Sequence, residues 1–352
     1  MLLVASLALS LNLAPLRPPV ATRCASIRCA EAATEEAAVA TTIEYGGIPH
    51  VGVIIGDAEE AREFYTGVLG MVDVTDEEDL EHPGAAMRVG EQVIYLQEIN
   101  NPDPIAVDPT YNMSMPPPGY VAEGRPVHAG RDRHVAITLN DLGPIKDRLE
   151  AAKHPYTMSY SGRQALFTRD NYGNGWEFGP PVTYEKATRL FPPYLVPPAA
   201  KAEAATTWGG MPHVGLLVAD TEKARVFYCD VLGMVDENDL RPDKLPFPGL
   251  FLRCGEQQVH ILELPNPDPN TVNDRPGYGK DRRTAYSVKD LKPLRAALDG
   301  AGVPYAMDPK QTTLWCYDPD ANEQMFIKDE SIQPIMEAYD GPMVPWTRLW
   351  DP

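Results

Sequence analysis

The chain is short of cysteine, of positive charge and of long apolar runs, and each shortage removes a class of function. Five cysteines are present in 352 residues. Cys24 and Cys29 fall in the first thirty positions, which leaves Cys229, Cys254 and Cys316 scattered through the rest. Three separated thiols make no disulfide framework, so a reducing compartment is expected. Lys and Arg number 31 against 50 Asp and Glu, a formal charge of −19 and a pI near 4.8. Such a surface repels phosphate backbones and anionic lipid, so nucleic acid and membrane are not expected partners, and a small organic substrate is. The apolar start "MLLVASLALSLNLAPL" is too short to cross a bilayer. Walker A, G-x-G-x-x-G and H-E-x-x-H patterns are all missing.

What is present begins with a distinct leader. After the apolar start comes "RPPVATRCASIRCA", with Arg17, Arg23 and Arg28 and no acid before Glu31. An apolar stretch followed by a basic, acid-poor, Ser/Ala-rich one reads as an import leader over 1–42, cleaved on arrival. A plastid (chloroplast) is the expected destination, with the secretory pathway or the mitochondrion as alternatives.

The main signal is a repeat. "IPHVGVIIGDAEEAREFYTGVLGM" starts at Ile48 and "MPHVGLLVADTEKARVFYCDVLGM" at Met211, with a constant offset of 163 residues between His50 and His213 and between Met71 and Met234. A self-similarity of this length is a copied structural unit. "HVGVII" is β-rich, with His50, Gly52 and Ile54 on one face. Asp57 offers an N-cap with Glu60 three residues on. Ala61, Phe64, Tyr65, Val68 and Leu69 then recur at helical spacing, and Gly70 closes the helix. Three extended pieces follow. Fainter echoes of this unit begin at "RHVAITL" and "RTAYSV", giving four βαβββ units in two pairs. "VTYEKATRLFPPYLVPPAAKAEAATT" separates the pairs as a Pro/Ala-rich linker. The expected organisation is a domain over 44–183, a linker over 184–207, a domain over 208–330 and a tail over 331–352.

This arrangement resembles the vicinal oxygen chelate (VOC) superfamily of glyoxalase I, bleomycin-resistance proteins and extradiol dioxygenases. "HVGVIIGDAEEAREFYTGVLGM", "RHVAITLNDL" and "DNYGNGWEF" carry the likeness, with their counterparts downstream. It implies an α+β fold of two tandem VOC domains, each a pair of βαβββ units curled into a mixed-sheet cup with a divalent metal at its floor. The family pattern, carried over position by position, places His50, His134 and Glu177 as metal ligands in the first domain. Two imidazoles and a carboxylate suit a divalent first-row ion, Fe(II) above Zn, Ni or Mn. Tyr95 stands at the fourth position, as a catalytic acid, a substrate hydrogen-bonder or a packed aromatic. Gln97 shares its face by strand alternation.

The second half departs from the pattern. His213 matches His50 and His260 matches Tyr95, but Arg283 and Met325 replace the second His and the carboxylate. A guanidinium cannot ligate a metal, so this half is expected to keep its cup and lack the ion. His82 and His154 read as solvated loop residues, and His128 lies close to His134 in sequence but outside the strand. The resemblance implies a metal-dependent enzyme acting on vicinal oxygens. Extradiol-type ring cleavage leads, a glyoxalase-type lyase or isomerase competes, and a metal-free ligand-binding protein is the rival from another class.

Overall fold

A computed structural model describes residues 43–332, apart from 81, 101–102, 112–115, 140, 160–163, 181–207 and 244. The leader, the linker and nearly all of the tail lie outside the described residues.

Four units follow one another. A short strand β1 (Tyr45–Gly47) leads into the first, with β2 (His50–Ile55), helix α1 (Ala58–Arg62), β3 (Val72–Asp73), β4 (Gly84–Val89) and β5 (Gln92–Glu98). A connection carrying β6 (Val107–Asp108) and β7 (Arg125–Pro126) reaches the second unit of β8 (His134–Leu139), α2 (Gly143–Ala151), β9 (Tyr156–Met158), β10 (Leu166–Arg169) and β11 (Gly175–Gly179). The third unit is β12 (Trp208–Val218), α3 (Thr221–Arg225), β13 (Val235–Asp236), β14 (Gly249–Cys254) and β15 (Gln257–Glu263). The fourth is β16 (Arg283–Val288), α4 (Leu291–Ala301), β17 (Tyr305–Met307), β18 (Thr313–Tyr317) and β19 (Glu323–Lys328). The fold is therefore α+β, with mixed sheets and few helices.

Local chemistry explains why the repeated sentence is spelled twice. The Asp57 side chain accepts from Glu60 N at 2.9 Å, capping α1. The helix continues as a π-turn over Glu63–Val68, and its equivalent does so over Val226–Val231. Phe64, Tyr65 and Leu69 turn inward and are buried. A buried tyrosine needs a partner for its hydroxyl. Tyr65 Oη donates to Asp170 at 2.7 Å and Tyr228 Oη to Asp318 at 2.8 Å. Each helix is thereby tied to the turn before the last strand of the following unit.

Sheet membership does not follow chain order. Among the described residues one sheet runs β17-β18-β19-β16-β2-β5-β4-β3, with β1 also paired to β16. The other runs β13-β14-β15-β12-β8-β11-β10-β9. The first unit thus shares a sheet with the fourth, and the second with the third. The joints are antiparallel ladders, Arg283 opposite Gly52 in one and Gly215 opposite His134 in the other. One contiguous hydrophobic cluster draws on all four units.

Polar contacts lock the halves together. Gln92 takes the amide of Met211 and donates to the carbonyl of Ile48, while Gln257 takes the amide of Ile48 and donates to Met211 O at 3.1 Å. The duplicated "NPDP" supplies two buried aspartates, Asp103 and Asp268. Asp103 meets Arg133 at 2.9 Å and, from the other half, Arg275 at 2.7 Å and Arg282. Asp268 receives Arg125 and Arg133, the latter at 2.7 Å. Arg125 also pairs with Asp132 at 3.0 Å. Deleting one member of such a buried pair strands a charge and typically costs about 3–5 kcal/mol.

Candidate metal centre

The cross-half ladder decides which side chains share a floor. In β12, His213 lies opposite Ala136, and Gly215 lies opposite His134. In the parallel ladder of β11 with β8, Glu177 lies opposite Ala136. Laterally paired residues project to the same face of a sheet. His134, Glu177 and His213 therefore converge, one donor atom from each lying within 4.8 Å of the others, and all three are buried. Glu177 Oε2 is 3.5 Å from His134 Nε2 and 3.8 Å from His213 Nε2.

The expected set is divided between the two sheets. The structure brings His134 and Glu177 together, but His50 and Tyr95 belong to the other sheet, where they pack edge to face with ring centroids 4.6 Å apart. The reason is the ladder: β2 joins β16 and not β8, so Arg283 and Met325 are the residues that reach the floor beside His50. Tyr95 Oη donates to Glu78 at 2.6 Å and takes no part in the cluster. His213, expected to stand in a metal-free half, lies with His134 and Glu177 in the candidate cluster.

The supporting contacts aim the rings. His134 Nδ1 lies 2.8 Å from Asp132 O; donating its hydrogen there turns the lone pair of Nε2 toward Glu177. A Cβ on Gly215 would stand 2.5 Å from His134 Cε1, so only glycine lets this ring lie across β12. His213 stacks on His260 with centroids 3.8 Å apart, and His260 stacks on Phe251 at 3.6 Å. Gln258 Nε2 donates to Glu237 at 2.7 Å, which turns its Oε1 toward His260 Nε2 at 3.0 Å. His260 Nε2 is then the protonated nitrogen and Nδ1 the acceptor.

Of the remaining histidines, His128 is buried, with Nδ1 2.6 Å from Thr157 Oγ1 and its ring against Phe167. Burial foremost, then the nearby His134, lowers its pKa to about 4, so it is neutral. His82 and His154 are half-buried, not solvated, and meet the carbonyls of Gly279 and Arg169 at 2.9 and 2.6 Å.

The donor set fits a divalent ion. Two ligands each about 2.1 Å from one tetrahedral centre lie roughly 3.4 Å apart, and the carboxylate-to-imidazole separations of 3.5 and 3.8 Å need only small closure.

The chain belongs to the Glyoxalase/Bleomycin resistance protein/Dioxygenase superfamily, whose model matches residues 47–178 and 210–325. No curated protein sequence matches it. Among solved structures, a provisionally assigned dioxygenase from Bacillus subtilis subsp. subtilis str. 168 superposes with a TM-score of 0.51 at 14% identity, covering 81% of this chain and 86% of its own. Glyoxalase I from Zea mays superposes at 0.47 and 16% identity, covering 80% and 92%. These likenesses concern the fold. Members of the superfamily generally use a divalent metal, and His134, Glu177 and His213 form a candidate site for one. No described helix is long and apolar enough to cross a membrane.

Proposed function

We propose that the chain is a metal-dependent enzyme with one working centre, its ion held by His134, Glu177 and His213, acting on a small molecule with vicinal oxygens. The observation that carries this reading is the buried donor cluster of two imidazoles and one carboxylate. Such a set leaves coordination positions open and suits Fe(II), which favours extradiol-type ring cleavage. The bound ion would supply a Lewis acid for the two oxygens and, as iron, a centre for dioxygen chemistry. Glu177 and the two imidazoles hold and orient. His260 is kept beside them by Gln258, with Nδ1 able to accept a proton from a substrate hydroxyl. Phe167 and Phe251 wall the floor against water.

A glyoxalase-type lyase is the second reading, favoured by the ring of His260 lying 3.8 Å from that of His213, near enough to supply a fourth donor after rotation. Metal content and turnover separate the two. Protein purified without oxygen should carry close to one ion per chain, lose it in His213→Ala and keep it in His50→Ala. Fe(II)-loaded protein should consume oxygen with a catechol panel, whereas Ni- or Zn-loaded protein turning over hemithioacetals would select the lyase. Retention of the ion by His213→Ala would overturn the centre itself.

A further inference from the structure

The other cup carries the same four floor positions with different chemistry. His50, Tyr95, Arg283 and Met325 stand where the metal centre has His213, His260, His134 and Glu177, by the matched ladders of the two sheets. A guanidinium and a thioether replace an imidazole and a carboxylate, so His50 alone is left of the three-donor set. The space over that floor persists, as a cavity of about 190 Å³ lined by His50, Tyr95, Gln97, Arg283 and Met325 among others. An apolar cavity of about 150 Å³ already admits benzene, so one six-membered ring fits.

Most polar groups around that space are engaged. Arg283 Nη1 donates to Gln97 Oε1 and Gly279 O, and Gln97 Nε2 donates to Asp281 O at 3.2 Å. His82 Nε2 lies 2.9 Å from Gly279 O, and Tyr95 Oη is given to Glu78. His50 is different. It is 8% exposed, and its Nε2 has no hydrogen-bond partner among the described residues. Burial foremost, then the nearby Arg283, lowers its pKa to about 3, so the ring is neutral at physiological pH. A neutral imidazole has one donor and one acceptor nitrogen, and a hydroxyl can serve either. A carboxylate suits the cavity less, because the exposed Asp79 stands among its lining residues. Leu80, Leu96 and the Met325 thioether supply the apolar wall.

We propose that this cup is a metal-free binding site for a small neutral phenol, its ring against Met325, Leu80 and Leu96 and its hydroxyl hydrogen-bonded to the His50 imidazole. A buried imidazole without a partner has lost its water and gained nothing in exchange, and a ligand hydroxyl repairs that deficit. The cavity is smaller than the roughly 300–1,000 Å³ of sites for drug-sized ligands, so the ligand is one ring with short substituents. The site is independent of the proposed metal centre, since His50 and Tyr95 belong to the other sheet.

The test uses the full chain, stripped of metal with a chelator and titrated calorimetrically with phenol, toluene and benzoate. Phenol should bind saturably, one molecule per chain. Toluene has nearly the same shape without the hydroxyl and should bind roughly fivefold more weakly. Benzoate, which carries a charge, should also bind more weakly than phenol. His50→Leu should erase the preference for phenol over toluene, and Met325→Trp should fill the cavity and abolish binding of both. Thermal unfolding reports whether each variant folds. If neither does, the wild-type protein with methyl-labelled methionine decides: phenol should shift the Met325 signal, identified by its loss in the near-isosteric Met325→Leu. Glu177→Gln, which alters a proposed ligand in the other cup, should bind phenol as the unaltered chain does, so this site stands or fails apart from the metal centre. No saturable binding at millimolar phenol, equal binding of toluene, tighter binding of benzoate, a phenol preference surviving in His50→Leu, binding surviving in Met325→Trp, an unmoved Met325 signal, or loss of binding in Glu177→Gln would each overturn the proposal.

Discussion

Gly215→Ala is the sharpest probe of the cross-half centre, because it adds one methyl group on one half and disturbs a ligand supplied by the other. The new Cβ would lie 2.5, 2.8 and 3.0 Å from Cε1, Nδ1 and Nε2 of His134. Carbon contacts settle near 3.5–4.0 Å, so the imidazole must retreat by roughly 0.5–1 Å. It cannot swing away cheaply, since Nδ1 is held by Asp132 O and the ring packs edge-on to Phe167 and His213. Metal–ligand distances tolerate only about 0.2 Å. Metal affinity should therefore fall by roughly 10–100-fold, about 1.4–2.7 kcal/mol. Overpacking adds about 1–3 kcal/mol of folding cost, partly offset by the ~0.5–1 kcal/mol advantage of Ala over Gly inside a strand. Competition against a chromogenic chelator measures the first quantity and thermal unfolding of the metal-free protein the second. Gly67→Ala is the control, because a Cβ there meets nothing within 4 Å. A folded Gly215→Ala protein with wild-type metal affinity would show that His134 does not ligate where its ring lies.

Three other outcomes follow from the same structure. A chain ending at residue 180 keeps His134 and Glu177 but lacks His213; it should hold no metal by elemental analysis, and co-expression with 201–352 should restore the ion. Failure of that restoration, with both fragments soluble, would count against cross-half assembly. Glu323 is raised from its ordinary 4.5 to about 8 by burial, so folding takes up a proton between those values and wild-type stability should fall across that window as pH rises. The loss should reach a few kcal/mol relative to Glu323→Gln in parallel denaturant titrations, and parallel curves for the two proteins would refute it. Residues 1–42, proposed as an import leader, should carry a fused reporter into a plastid, and a cytosolic reporter would refute that reading.

Much of the fold was legible in the sequence because it is written in local terms. The paired helices, the Asp57 cap and the inward Phe-Tyr pairs all depend on spacing of a few residues. That His134 and Glu177 lie side by side was legible for the same reason, each lying in a recognisable strand of its own unit. The sheet partner was not, because periodicity fixes which face a strand shows and says nothing about which edge it meets. Either pairing of the four units would satisfy the backbone hydrogen bonds. A signal did exist in how the residues divide. His134 and Glu177 of the second unit complement His213 and His260 of the third, whereas His50 and Tyr95 of the first are matched by Arg283 and Met325 of the fourth. Both pairings assemble two imidazoles and a carboxylate, but only the crossed one adds a fourth donor-type residue, His260, beside them. The glycine two residues after each opening histidine, Gly52 and Gly215, was the second clue, since each lies where a side chain of the opposite ladder must cross.

The crossed pairing has a consequence in time. During synthesis β2 is complete at Ile55 and β5 follows soon after on one edge, yet the partner for its other edge begins only at Arg283, 228 residues later. At about 5–20 residues per second that interval is roughly 11–46 s. Throughout it one edge of β2 waits open, and for most of it Asp103 lacks the two arginines of the other half, Arg275 and Arg282. Open edges and stranded charges are what holding chaperones and aggregation both act upon. The nascent first half is therefore the vulnerable species in the life of this protein. Slowing the ribosome between residues 180 and 280 should lower soluble yield more than the same delay placed after residue 330.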